Sequence, residues 1–365
     1  MNQKKIIIFM PTIDGGGVEK NFFLITNYLC TKFKDVSVIS LSKSYQKKLN
    51  PKIKFITFNV NLPNSIGRRI KFIISLFLLM KKILFNRSYT VLCFQGLAYC
   101  IILCKILSTK IIIRSNSSPS GWSKKHIKKI LYKKIYNMAD KIIVNSVEFK
   151  KELKSKFNLN SECIYNPLNK KEIIRNSKKK INISFFKKKD FKIISVARFS
   201  NQKDHFCLIR SINLLKNKYK NIKVLLIGSG NKEKEILNYI NELKLNKIIK
   251  ILKFKKNPYP YIKKSNLFIL SSNFEGLPNV LLEAITLKKF VISSNCPTGP
   301  SEILDNGNGG LLFNVGDHKA LSKKIIYAIH NKKKCNKKLL FAEKRLNRFD
   351  FSKNLLKYYN ILNTI

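Results

Sequence analysis

Four charged side chains are best placed for chemistry in this chain: Arg198, Lys203, Glu275 and Glu283. The two acids lie in Ser271-Ser272-Asn273-Phe274-Glu275-Gly276-Leu277-Pro278-Asn279-Val280-Leu281-Leu282-Glu283-Ala284. That stretch leaves an apolar, strand-like run, crosses a short loop and enters a helical pattern near Pro278, a residue suited to a first helical turn. Backbone N–H groups around Leu277 to Leu281 at such a helix start favour an anion. Carboxylates accept from hydroxyls, so acids flanking the anion suit a sugar on one side of a diphosphate and a ribose on the other. The plainer reading is a helix with ordinary surface acids. It is weakened by the scarcity of acids, 20 Asp and Glu against 72 Lys and Arg.

Arg198 and Lys203 stand in Ser195-Val196-Ala197-Arg198-Phe199-Ser200-Asn201-Gln202-Lys203-Asp204. Arg198 ends an apolar strand and Lys203 opens the next helix. Two cations there can offset the negative charge growing on a leaving nucleoside diphosphate without a metal. In so basic a chain their spacing alone means little; their position after a buried strand gives them weight. No Asp-x-Asp pair and no His/Cys cluster occurs, so a protein-bound metal is not expected.

The elements that must carry these residues follow from the apolar pattern. In the first half, strands are expected over 5–10, 36–41, 53–58, 90–94, 110–114 and 141–145. Helices are expected over 18–30, 66–85, 97–107 and 124–138. Apolar strands separated by helices indicate parallel βαβ units with both sheet faces covered. After Tyr165-Asn166-Pro167 the pattern stops, and 167–190 reads as a polar, lysine-rich interdomain crossing. It then restarts, with strands over 191–197, 224–227, 248–254, 267–271, 290–293 and 310–313. Helices fill the gaps, notably over 205–216, 232–243, 279–287 and 319–331. The expected fold class is α/β, two Rossmann-like doubly wound domains facing a central cleft. Domain one covers 1–166, domain two 191–345, and a helix over 346–365 packs back on the first. Ligands of such sheets sit beyond the carboxyl ends of the strands.

The length of 365 residues and 45% hydrophobic content allow two ordinary cores and exclude disorder. The net charge of +52 calls for an anionic partner or for codon bias, since Lys, Asn and Ile share AT-rich codons and all crowd the sequence. The lysines are spread along most of the chain, which favours codon bias for most of them; the remaining field still draws the protein to an anionic membrane surface. Eight cysteines without a C-x-x-C read as reduced, mostly buried thiols of a cytoplasmic protein. No signal peptide is evident, and the apolar run 72–80 is too short to span a bilayer. It reads as a core helix rather than an interfacial one. The helix around Trp122 to Met138 has an apolar stripe of Ile127, Ile130, Leu131, Ile135 and Met138, with lysines largely off it. Packing on the sheet is again favoured over lipid contact.

Taken together, these motifs resemble the retaining GT-B glycosyltransferases of family 4. The resemblance runs along the chain. It comprises Gly16-Gly17-Val18-Glu19, the Arg198 and Lys203 segment, Leu226-Ile227-Gly228-Ser229-Gly230, the Glu275-x7-Glu283 motif and Cys296-Pro297-Thr298-Gly299-Pro300-Ser301-Glu302-Ile303. With Asn257-Pro258-Tyr259-Pro260-Tyr261, the last block is similar to a subgroup that builds bacterial surface glycans from UDP-hexoses or UDP-N-acetylhexosamines on polyprenyl-diphosphate acceptors, such as polyprenyl-diphosphate-linked N-acetylgalactosaminyltransferases. The resemblance implies a retaining, metal-independent enzyme of capsule, O-antigen or related synthesis, peripheral at the inner face of the cell membrane. Its substrates would be a nucleotide-sugar donor and a lipid-linked glycan acceptor, with no cofactor. By the same resemblance, Arg198 and Lys203 hold the donor diphosphate, Glu275 takes hydrogen bonds from the sugar and Glu283 from the ribose. Backbone amides from Gly276, Leu277, Pro278, Asn279 and Val280 line the donor, the proline contributing position rather than an N–H. The Gly16-Gly17 loop closes over it.

Two departures stand out. Many relatives carry His, Asp or Glu after the strand matching 110–113, where this chain has Arg114-Ser115-Asn116-Ser117. No acid or base is assigned there, although Arg114 or Asn116 could steer an acceptor phosphate. Lys255 replaces a common glycine after 248–254. A GT-B-like UDP-sugar epimerase is the alternative enzyme. A basic nucleic-acid-binding protein is the remote one, and no recognisable module supports specific nucleic-acid binding.

Overall fold

A computed structural model of the chain describes residues 2–13, 16–58, 67–116 and 126–365, without the side chains of 126–129. The chain forms two compact units, one of 1–167 with 351–365 and one of 168–350.

Unit one is a seven-stranded parallel sheet, in the order β3-β2-β1-β4-β5-β6-β7. Its strands are β1 (Asn2–Phe9), β2 (Phe33–Ile39), β3 (Lys54–Ile56), β4 (Tyr89–Cys93), β5 (Lys110–Arg114), β6 (Lys141–Val144) and β7 (Glu162–Cys163). The helices are α1 (Gly17–Leu29), α2 (Arg68–Phe85), α3 (Leu97–Ile106), α4 (His126–Asn137) and α5 (Val147–Phe157). Side chains of β1 alternate between two cores, as a strand of period two must. Ile6 and Ile8 pack in the core shared with α1, whereas Ile7 and Phe9 pack in that shared with α2, α3 and α5. Helix α5 was not expected from sequence. Phe149, Leu153 and Phe157 recur every four residues among lysines and are all buried, and Ser146 caps the start by accepting from the Phe149 N–H at 3.1 Å.

Unit two opens with α6 (Lys170–Ser177) and holds a six-stranded parallel sheet, β10-β9-β8-β11-β12-β13. Its strands are β8 (Phe191–Val196), β9 (Ile222–Gly228), β10 (Ile249–Lys253), β11 (Leu267–Leu270), β12 (Phe290–Ser294) and β13 (Leu311–Phe313). The helices are α7 (His205–Asn213), α8 (Glu233–Glu242), α9 (Tyr259–Lys263), α10 (Asn279–Thr286), α11 (Pro300–Ile303), α12 (His318–His330) and α13 (Lys332–Arg345). Helix α14 (Phe351–Thr364) belongs to unit one, where Leu355, Tyr358, Ile361 and Leu362 join the α1 core.

The irregular crossing read over 167–190 is corrected by α6, which is part of unit two. Asn169 caps the helix: its Oδ1 accepts from the Glu172 N–H at 3.1 Å, and its Nδ2 donates to Glu172 Oε2 at 3.0 Å. Ile173 is buried, and the far end is tied down where Asn257 Nδ2 donates to the Asn176 carbonyl at 2.9 Å.

The core-helix reading of 72–80 is corrected as well. In α2 only Ser75, Leu79 and Ile83 are buried, while Ile70, Ile73, Phe77, Leu84 and Phe85 are exposed. The stripe expected on α4 is divided: Ile135 is buried with Tyr136, but Ile130, Leu131 and Met138 are exposed. Trp122 and the lysines 124 and 125 lie outside the described residues, as do the side chains of 127–129. No helix among the described residues is long and apolar enough to cross a membrane.

Candidate active site

The loops after β8, β9, β11 and β12 gather at one end of the second sheet, around the point where strand order reverses between β8 and β11. Such a switch point leaves an opening between diverging crossovers and is where doubly wound sheets take ligands. Lys203 leaves the β8 side and Glu275 the β11 side, and they meet: Lys203 Nζ donates to Glu275 Oε1 at 2.5 Å. Ser272 Oγ donates to the same oxygen at 2.6 Å. Both groups are largely buried, so the pair is poorly screened and well ordered.

The loops are also sewn together by backbone. The Asn273 N–H donates to the Gln202 carbonyl at 2.8 Å, and Gln202 Nε2 donates to the Phe274 carbonyl at 3.0 Å. Ser271 Oγ bridges the Lys203 and Asp204 carbonyls at 3.1 and 2.9 Å. From the third side, Thr298 Oγ1 donates to the Glu275 carbonyl at 2.8 Å. Gly299 lies so close that a Cβ would stand 2.3 Å from the Gly276 oxygen and 2.8 Å from Pro278 Cδ. The Thr-Gly-Pro block therefore acts as a floor under the Glu275 loop.

Arg198 is exposed at the end of β8 and makes no hydrogen bond or ion pair among the described residues. Its place is set by glycines of the neighbouring strand. A Cβ on Gly228 would fall 2.0 Å from the Ala197 oxygen, and one on Gly230 would fall 2.2 Å from the Phe199 oxygen. The Phe199 N–H also donates to the Ser229 carbonyl at 3.0 Å. Glycine is needed in Gly228-Ser229-Gly230 because the Arg198 loop lies against it.

Glu283 is buried in α10 and accepts from Tyr259 Oη at 3.3 Å. The helix starts at Asn279, with Pro278 as its extended N-cap rather than a residue of the first turn. No side chain caps this end. Gly276, Leu277 and Pro278 are buried against the floor, and Asn279 and Val280 are half-buried.

A neighbouring group without a sequence motif joins the site. His205, at the start of α7, is buried edge-on to Phe199 with ring centroids 5.0 Å apart, and neither ring nitrogen has a hydrogen-bond partner among the described residues. Burial, with Lys203 nearby, lowers its pKa to about 3, so the ring stays neutral. Its signal in sequence was only its place two residues after Lys203.

In unit one, Gly16 is the N-cap of α1 with φ −97° and ψ −168°, an extended conformation open to any residue. Gly17 begins the helix. Arg114, the acceptor-side candidate, is placed away from solvent. It is fully buried: Nε donates to Tyr358 Oη at 2.7 Å, Nη2 to Asn166 Oδ1 at 2.6 Å, and the guanidinium lies 5.6 Å from the Phe94 ring centroid. It ties β5 to α14 and to the end of the first unit. Asn116 is half-buried and donates to the Phe94 and Arg114 carbonyls at 3.3 and 3.2 Å. Seven of the eight cysteines are buried, Cys163 is half-buried, and all are free thiols. Desolvation pushes Cys207 and Cys296 up to about 12.

Two Rossmann-like units of parallel strands, with Lys203 and Glu275 in contact at the switch point of the second, place a charged pair where doubly wound sheets take ligands. Comparison with known proteins makes the class specific. Residues 176–342 match the family described as glycosyl transferases group 1. Over 370 residues, covering 97% of this chain and 99% of the relative, the sequence is 26% identical to the N-acetylgalactosamine-N,N'-diacetylbacillosaminyl-diphospho-undecaprenol 4-alpha-N-acetylgalactosaminyltransferase of Campylobacter jejuni. It is 36% identical over 180 residues to an uncharacterized glycosyltransferase of Methanocaldococcus jannaschii; that match spans 48% of this chain and less than half, 44%, of the relative's length. The crystal structure of Anabaena HepE in complex with UDP-glucose matches in fold with a TM-score of 0.79 at 18% identity, covering all of both chains. The second unit belongs to glycosyl transferases group 1, and the fold of the chain is of the GT-B class.

Proposed function

We propose that the protein transfers a hexose or N-acetylhexosamine from a UDP-sugar to a polyprenyl-diphosphate-linked glycan during surface-polysaccharide synthesis. The observation that carries this reading is the Lys203–Glu275 contact at the β8/β11 switch point, with Arg198 exposed at the end of β8 and Glu283 buried in the following helix. The Campylobacter relative, named for transfer to an undecaprenyl-diphosphate-linked glycan and aligned over nearly its whole length, supports the acceptor class. The HepE complex with UDP-glucose supports the donor class.

In this reading Arg198 and Lys203 bind the donor diphosphate. Lys203 is shared between the incoming phosphate and Glu275, whose recorded bonds both fall on Oε1. Glu275 orients the sugar hydroxyls, and Glu283, positioned by Tyr259, takes the ribose. The bond from the anomeric carbon to the β-phosphate oxygen breaks as the acceptor hydroxyl forms its bond on the same face. The hydroxyl proton passes to the departing phosphate, leaving UDP and a glycan one sugar longer. Configuration is retained without a protein nucleophile, and the two cations stabilise the phosphate charge without a metal. The enzyme works at the cytoplasmic face of the membrane, where such lipid acceptors present their glycans.

The test is incubation of the purified protein with a panel of UDP-sugars and undecaprenyl-diphosphate-linked acceptors, with products identified by mass. A glycan heavier by one sugar residue is expected with one donor. Conversion of the UDP-sugar with no acceptor present would instead establish an epimerase and reject this reading.

A further inference from the structure

Helix α2 is apolar on two opposite sides. Leu79 and Ile83 face the sheet, whereas Ile70, Ile73, Phe77 and Leu84 stand on the far side at 51, 66, 56 and 54% exposure. At 100° per residue these four positions fall within one narrow stripe. Helix α3 packs beside it and repeats the pattern: Tyr99, Ile102 and Ile106, spaced i, i+3, i+7, are 64, 39 and 74% exposed. On the other side of α3, α4 adds exposed Ile130 and Leu131. Single exposed isoleucines would need no explanation, but exposed apolar side chains aligned on three neighbouring helices make a patch of the kind that marks a docking surface.

The charges carried by these three helices are all of one sign, and the nearby Asp140 is paired with Lys105 of α3 at 2.8 Å. No Asp or Glu occurs in α2, α3 or α4. Arg68, Arg69 and Lys81 of α2 and Lys133 and Lys134 of α4 are exposed, and Lys81 lies on the apolar stripe itself. A second copy of the chain docking through this face would set basic residues against basic residues, since a two-fold interface is self-complementary. An apolar stripe rimmed by cations fits a bilayer of anionic phospholipid, where the side chains enter the headgroup boundary and the lysines reach the phosphates. We infer that the α2–α3–α4 face of unit one seats the protein in the plane of an anionic membrane. The inference rests on the membrane-face reading above and assigns the surface responsible.

The net charge of +52 attracts the whole molecule to anionic vesicles, so the deciding variants remove apolar groups and leave charge untouched. The full chain is sedimented with phosphatidylcholine vesicles and with vesicles containing phosphatidylglycerol. Wild type should bind only the second. Phe77→Ser with Ile102→Ser should weaken that binding more than about tenfold, and Ile73→Asn with Ile106→Asn should do the same. Lys81→Gln should cost about fivefold. Leu237→Ser, an exposed apolar position of α8 in unit two, should change nothing. These side chains are outside the core, so melting temperatures should hold. UDP affinity, measured in parallel, reports separately on the donor site. Apolar variants that bind like wild type would reduce the effect to unspecific charge and overturn the inference. So would a wild type that ignores anionic vesicles but forms a dimer that these substitutions abolish.

Discussion

Glu275 and Glu283 illustrate how burial makes a residue's role testable. Each is almost wholly buried, yet each is held by a neighbour that fixes its direction, Lys203 with Ser272 for one and Tyr259 for the other. Glu283→Ala should weaken UDP binding by about tenfold, the value of one charge-assisted hydrogen bond, with the fold intact by circular dichroism. Unchanged affinity in a calorimetric titration would remove Glu283 from the ribose. Lys203→Ala should lower kcat by about 100-fold, as loss of a preorganised charge at a leaving group does; a near-normal rate would place the diphosphate elsewhere. Arg114 is a different case. Among the described residues its partners are a phenol and an amide, not a carboxylate, and Nη1 has none. Tyr358→Phe leaves Nε buried and unsatisfied, so unfolding in urea should lose about 1–3 kcal/mol while UDP affinity stays put. A change confined to turnover would give Arg114 back a functional role.

Elements place these groups by close approach of backbone. The Arg198 loop crosses β9 at Gly228, where there is no room for a side chain. Gly228→Ala must push the end of β8 away, which should cost about 1–3 kcal/mol of stability and reduce kcat together with it. Thermal melts and initial rates on the same preparation check this; a variant as stable and active as wild type would show that the loop tolerates another path. Most strands and the longer amphipathic helices were legible in sequence because short apolar runs bounded by turn residues favour buried strands; β7, α9, α11 and α13 were not expected. Helices α5 and α6 were missed for a shared reason. Each carries its apolar residues in a minority among polar ones, so composition hid a spacing of four in one and an asparagine N-cap in the other. The Glu275 and Lys203 segments were also legible, because each ends a buried strand. That they touch was not, since 72 residues separate them.

The whole molecule places a glycosyltransferase group 1 domain after a first Rossmann-like unit, and its last helix returns to that unit. Charge compensation at the phosphate is assigned to Arg198 and Lys203, so activity in the transfer assay should survive an excess of EDTA. Loss of turnover restored by added divalent cation would transfer that role to a metal. The architecture could be read from the chain directly, because the alternation of buried strands with amphipathic helices depends on residue type and period, both local properties. Three matters depended on packing. Arg114 turned out to be a strut, the Lys203 and Glu275 loops came together at a switch point, and α2 and α3 were left with a second apolar face in the open. Periodicity reports that a face is apolar; whether protein or solvent lies against it depends on neighbours distant in sequence.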